Sequence, residues 1–385
     1  MLRGRSMGAT NIKNNYQYSN LDTNKFDLIM HETEKMYFLS PKPIMFVIQN
    51  YDLFENQIKQ GYYDKESYKM LMSAYFMKEY EWEIDIQNIQ YIPSDEMAYT
   101  LIFESLTQVN DNVVVLSPLE KILRYKILAS SRNLISIPLI YEGDKVELDF
   151  ELLEKYSKGS KVMVISNPHY PSGRCFTEEE LKKLGDIARR NNLWILSIEE
   201  GYELTREGVK YIPLSKALNN SSNVITYLSP CKTLNLMDST MGNLVINNKK
   251  FRDFMKHQLS ENSRFAINAI DVEIFNVFYS RIDIWLRKLR DYVNKNFELF
   301  DTYLKNIFGT MELEKPESGT LAFIDLSKYG YMPEELEYRI LKNGKLTVKF
   351  GEEIEGSLQG KIAINMAYPR EMLKECFSRI RTVLN

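Results

Sequence analysis

Lys232 sits on a short polar turn, Ser229-Pro230-Cys231-Lys232-Thr233, directly after the apolar run from Asn223 to Tyr227. A lysine traps a carbonyl as a Schiff base once desolvation or a neighbouring positive charge lowers its ammonium pKa. Lysine after a strand also serves as an ordinary solvated turn residue, and this segment alone leaves both readings open. Tyr170, Glu199 and Tyr202 stand upstream as partners able to donate or accept protons. Cys231, beside the lysine, reads as a small packed thiol rather than a nucleophile. His169 reads equally as a turn-stabilising or a catalytic residue.

The elements that must position these groups are visible in the run from Val162 to Tyr202. Val162-Met163-Val164-Ile165 is a buried-strand pattern, Asn167 to Arg174 a Pro/Gly-rich turn, and Leu193 to Ile198 a second buried strand. Thr177 followed by Glu180 is a capping box, and Leu181, Leu184 and Ile187 give the intervening helix its apolar stripe. Strand, helix and strand at this length make a parallel crossover unit. Ligands of open parallel sheets collect beyond the carboxyl ends of the strands, so Tyr170, Glu199, Tyr202 and Lys232 are expected to converge on one pocket.

Four segments carry a family resemblance. Asn167-Pro168-His169-Tyr170-Pro171-Ser172-Gly173-Arg174 with Thr177-Glu178-Glu179-Glu180-Leu181 is similar to an NPHNPxGR turn and its T-x-E-E-L helix. Ile198-Glu199-Glu200-Gly201-Tyr202 is similar to S-D-E-I-[HY], Ser229 to Asn243 to SPSKTFNxAGLxxSN, and Lys361 to Leu373 to RxNxACPRxxL. In order and spacing the chain resembles the fold-type I pyridoxal 5'-phosphate (PLP) enzymes of the aminotransferase class I/II superfamily, and within them the cystathionine β-lyase branch called MalY/PatB. The resemblance implies an α/β fold, with a mostly parallel seven-stranded sheet flanked by helices in a large domain plus a small α+β domain. It also implies a homodimer whose two chains together build each site.

Residue by residue, the resemblance implies that Lys232 carries PLP as a Schiff base and that Glu199 stands under the ring nitrogen in place of an aspartate. Tyr170 takes the position of the asparagine at the phenolic oxygen, and Tyr202 shares that contact. Ser229 keeps a hydroxyl for the phosphate. Ser94, Asp95 and Glu96 fall on the phosphate loop, where carboxylates replace glycine and backbone donors. Glu120 replaces the tyrosine that stacks on the ring. Tyr62 matches the tyrosine that reaches the neighbouring subunit's phosphate. Lys361 takes the role of the arginine that grips the substrate carboxylate, as a point charge without the planar fork.

The implied activity is that of a PLP-dependent enzyme on an amino acid, either a C–S β-lyase resembling cystathionine β-lyase or an aminotransferase, with Lys232 as general base. The changes at Tyr170, Glu120, Asp95 and Lys361 also admit a diverged homologue. Such a protein would have lost or altered PLP catalysis and would serve as a binding or scaffold subunit, or act on an atypical substrate.

The composition suits a large globular chain: 385 residues, 44% of them hydrophobic, with a formal charge of -3. No basic cluster points to nucleic acid, no apolar run reaches membrane-spanning length, and the N-terminus shows no signal-peptide core, so the expectation is cytoplasmic. Cys175, Cys231 and Cys376 form no disulfide framework, and His31, His169 and His257 are too dispersed for a metal site. The expected organisation is a flexible segment 1–24, an arm 25–62, a large domain 63–275, and a connector helix with a small domain 276–385.

Overall fold

The structure, a computed structural model, describes residues 28–29, 66–142, 145–234, 241–260, 267, 269–309, 313–351 and 358–384. Eleven strands of these residues form its two main sheets, in chain order β1 Ile89–Ile92, β2 Asn112–Ser117, β3 Asn133–Glu142, β4 Lys145–Leu148, β5 Ser160–Ser166, β6 Trp194–Glu199, β7 Val224–Leu228, β8 Gly242–Ile246, β9 Leu321–Asp325, β10 Lys349–Phe350 and β11 Lys361–Asn365. The helices are α1 Ser67–Tyr80, α2 Asp95–Leu106, α3 Lys121–Ala129, α4 Phe150–Ser157, α5 Glu178–Arg190, α6 Leu214–Ala217, α7 Cys231–Leu234, α8 Lys249–Ser260, α9 Ala269–Phe308, α10 Pro333–Tyr338 and α11 Arg370–Leu384.

The large sheet has eight strands rather than seven, in the order β1-β8-β7-β6-β5-β2-β3-β4. Its centre, β3-β2-β5-β6-β7, is parallel, while β8 runs antiparallel to both neighbours and β4 folds back on β3. The extra strand is the short β4, whose sequence Lys-Val-Glu-Leu carries charges at alternate positions, the signature of an edge rather than a core strand. The central strands are apolar on both faces because both are covered. Val113, Val115, Val164 and Ile198 pack towards Ile102 of α2 and Leu123 of α3. Val114, Met163, Ile165 and Ile195 pack towards Leu181, Leu184 and Ile187 of α5. Helix α5 begins with the capping box: Thr177 accepts from the Glu180 N–H while Glu180 reaches back to the Thr177 N–H.

Helix α9, 40 residues and so about 60 Å long, carries the chain to a three-stranded antiparallel sheet in the order β9-β11-β10. Helix α11 covers that sheet with Met372, Leu373, Cys376, Phe377 and Ile380. One apolar cluster runs from these residues through Phe297 and Phe275 of α9 to Phe76 of α1 and Tyr202 beyond β6. Among the described residues, no helix is long and apolar enough to cross a membrane.

Candidate active site

A cavity opens beyond the carboxyl ends of the parallel strands. Leu116 near the end of β2 lines it with Pro118 and Glu120 just beyond, Pro168, His169 and Tyr170 after β5, Glu200 and Gly201 after β6, and Thr233 of α7 on the side of β7. The segment Ser318-Gly319-Thr320-Leu321 closes it from the small sheet. Main-chain hydrogen bonds hold this wall: Ser318 N–H donates to Gly173 O at 2.8 Å, Gly319 N–H to Leu204 O at 3.3 Å and Arg206 N–H to Glu317 O at 2.9 Å. Ser318 Oγ adds a bond to Gly201 O at 2.6 Å. A Cβ on Gly173 would stand 2.2 Å from Ser318 O, so only glycine permits the approach.

The turn before α5 is braced from its own sequence. Asn167 Nδ2 donates to Ile212 O, and its Oδ1 accepts the Phe176 N–H. Arg174 pairs with Glu180 Oε1 at 2.6 Å, coupling the turn to the helix cap. His169 is buried against Ser172, and burial followed by the Arg174 charge pulls its imidazole down to about 3, leaving it neutral. These motif residues build the scaffold that presents Tyr170 to the cavity.

Helix α7 carries Lys232 one residue from Thr233, which is buried and lines the cavity. Side-chain hydrogen bonds hold this helix. Ser229 accepts the Cys231 N–H at 3.3 Å and donates to Met241 O at 2.9 Å, so its hydroxyl caps the lysine turn. Thr233 donates to Glu203 Oε2 at 2.9 Å. Burial pushes the Cys231 thiol up to about 12, consistent with a packed, inert cysteine.

Glu199, expected to face the cavity, turns to the opposite side of its strand. Its carboxyl accepts from Ser197 Oγ at 2.7 Å, from the Leu214 N–H at 3.0 Å and from the Tyr211 hydroxyl. Strand alternation is the cause: Ser197 and Glu199 share one face, while Ile198 and Glu200 share the face that lines the cavity. Tyr202 is likewise absent from the lining. It is fully buried and its ring stacks on Tyr211.

The remaining candidates divide. Glu120 and Tyr170 line the cavity. Ser94 caps α2 by accepting the Met97 N–H, Asp95 accepts the Glu96 N–H, and Glu96 pairs with Lys126 at 2.9 Å; none of the three lines the cavity. Lys361 is drawn 2.6 Å from Glu314 Oε1 and over the Tyr141 ring, away from the cavity lining. The motif's own spacing explains the mismatch: its arginine precedes the asparagine by two residues, which from Asn365 falls on the buried Ala363. Tyr62 lies outside the described residues. Sequence reasoning missed Glu200, which lines the cavity, and Glu203 and Tyr211, which bond its surroundings; only Glu200 had a local signal, as the second acid of a doublet.

A lysine-bearing helix at the carboxyl edge of a parallel sheet, walled by a second small sheet, defines the architecture of the large aminotransferase superfamily. The family model for aminotransferase class I and II matches residues 61–380, and the chain belongs to that family. Among curated relatives, the cystathionine beta-lyase PatB of Bacillus subtilis (strain 168) is 26% identical over 320 residues, covering 82% of this chain and 83% of that protein. The aspartate aminotransferase of Pyrococcus horikoshii is 24% identical over 312 residues, covering 80% and 78%. Among solved structures, the PLP-bound putative aminotransferase of Clostridium difficile 630 matches with a TM-score of 0.85 at 25% identity, over 96% of this chain and 98% of that one. Cystalysin of Treponema denticola, a structure containing PLP, matches with a TM-score of 0.86 at 21% identity, over 100% and 98%.

Proposed function

We propose that this protein is a PLP-dependent enzyme acting on an amino acid, with C–S β-lyase activity on a cystathionine-like substrate as the first reaction to test and transamination as the second. The observation that carries the proposal is the placement of α7, the Lys232 helix, against the cavity through Thr233.

The cavity offers a cradle for the cofactor. Gly201 lines it with φ 76°, and beyond its chain neighbours no atom lies within 4 Å of where a Cβ would stand, so a flat ring has room against it. Lys232 would hold the carbonyl carbon, with Gly201, Glu120 and Tyr170 around the ring. When bound, PLP supplies an electron sink for negative charge at the substrate Cα. Lys232 Nζ takes the proton from that Cα. Thr233 and Glu203 keep the lysine helix in place. Ser318 to Leu321, with Leu116 and Ile198, exclude water from the reacting atoms.

A homodimer fits this reading. Met70 and Met77 are 60% and 55% exposed, one heptad apart on α1, an apolar face suited to a second copy. The compartment that goes with this proposal is the cytoplasm.

Purified protein incubated with PLP is expected to show a visible absorption band that borohydride reduction fixes to Lys232, as read by peptide mass. It should also release pyruvate from L-cystathionine. A colourless protein that takes up no PLP, whose behaviour is unchanged in Lys232→Ala, overturns the proposal and favours the scaffold reading.

A further inference from the structure

One turn joins the cofactor cradle to the lysine helix. Gly201 lines the cavity and opens a single helical turn, Tyr202–Leu204, which the Leu204 N–H closes on Gly201 O at 3.0 Å. Its far end is fastened to the wall, because Leu204 O accepts the Gly319 N–H at 3.3 Å and Arg206 Nη1 at 3.1 Å. Arg290 of α9 donates to Glu203 O, so the main chain of the turn is also held from the long helix. The Glu203 side chain crosses to α7, where its Oε2 accepts from Thr233 at 2.9 Å. Both residues are fully buried, and Lys232 precedes Thr233 in α7.

A carboxyl at this place is costly, since it gives up water and is stabilised only by what it bonds. Around it stand Tyr75 and Tyr80 of α1, Tyr202, Tyr211, and Tyr279 of α9, each kept neutral by burial, with Arg290 as the cation that pulls on it. A leucine would suit so apolar a setting without that cost. It could not accept from Thr233. Glu203 is absent from the cavity lining, so what its carboxyl supplies to the site is the bond to the lysine helix.

We propose that Glu203 is a positioning residue that sets Lys232 against the cradle at Gly201, acting through the Thr233 hydroxyl. The inference rests on the function proposed above and adds the residue on which the lysine's placement depends. Cradle and lysine are then fixed by one turn of the chain rather than by separate elements.

The test is the dissociation constant for PLP, read from the visible band at pH 6, where Glu203, raised to about 7, is mostly protonated and glutamine matches its charge. Glu203→Leu leaves the Thr233 hydroxyl buried without this acceptor and should weaken PLP binding about 10-fold. Thr233→Val, which exchanges one hydroxyl for a methyl, makes the same cut from the other side and should do likewise. Glu203→Gln retains an acceptor and should stay within about twofold of wild type. Because the pair acts as a unit, the double variant Glu203→Leu/Thr233→Val should lose no more than the weaker single variant. Wild-type affinity in either single variant, Glu203→Gln as weak as Glu203→Leu, or additive losses in the double variant overturns the Glu203 assignment while the enzyme reading stands. A wild type that takes up no PLP overturns the enzyme reading instead. Reductive methylation with formaldehyde and cyanoborohydride then decides on Glu203, with Lys232 read by peptide mass against the exposed Lys249. Glu203→Leu should raise the ratio of Lys232 to Lys249 modification about threefold or more, since a loosened α7 opens more often. An unchanged ratio overturns the assignment.

Discussion

Glu199 and Glu203 are both fully buried, and burial pushes each carboxyl up to about 7 from an ordinary 4.5, against the pull of their hydrogen bonds. The folded chain therefore keeps a proton on each that the unfolded chain releases between pH 4.5 and 7. Their stabilising contribution is complete below the unfolded value and is lost as the pH rises through 7, on the order of 3 kcal/mol for each group. Glu199→Gln keeps an acceptor for Tyr211 but cannot ionise, so its melting temperature should fall less than that of wild type between pH 5 and 8. Equal slopes for the two proteins would show that Glu199 does not titrate in that window. The doublet Glu199-Glu200 was legible as acid beside the site; which member faces the cavity was not, because it depends on where β6 stops alternating.

At the scale of elements, the wall segment after Pro316 meets the turn before α5 at Gly173, whose φ of 70° and missing Cβ are both required. Gly173→Ala should cost on the order of 1–3 kcal/mol in urea unfolding and weaken ligand binding, because the added methyl displaces Ser318 from the cavity. Gly208→Ala is the control: its φ is 83° with nothing within 4 Å of the added Cβ, so it carries backbone strain alone and should cost less. Local elements were legible where local rules decide them. The Thr177–Glu180 cap, the apolar runs of β2, β5, β6 and β7 and the closing helix all stand where periodicity and capping place them. The two-residue β10 was not, since its existence and its pairing with Ala363 depend on register across the chain segment that separates it from β11.

Over the whole molecule, the cluster joining Phe76, Tyr202, Phe275, Phe297, Phe377 and Ile380 crosses from the large sheet to the last helix. Buried side chains are in continuous contact from one sheet to the other there, so calorimetry should record one cooperative transition. Phe377→Ala, emptying the last-helix end of that cluster, should cost about 3–5 kcal/mol and lower the single transition rather than split it. Two resolved transitions would show that the sheets melt independently. The overall α/β architecture was readable from the sequence of crossover signals, but the continuity of the core was not, because α1 and α11 are nearly 300 residues apart and each shows only its own stripe.

The cavity wall is fastened largely by peptide groups: Ser318 to Gly173, Gly319 to Leu204 and Arg206 to Glu317. Peptide hydrogen bonds survive nearly any substitution that keeps the backbone path. Replacing the side chains that face inward, Glu120, Tyr170 and Glu200, therefore leaves those main-chain bonds in place. Divergence of the inner surface and constancy of the enclosure are separable here. Single replacements of these side chains change the inner surface while the main-chain fastening stays as it is.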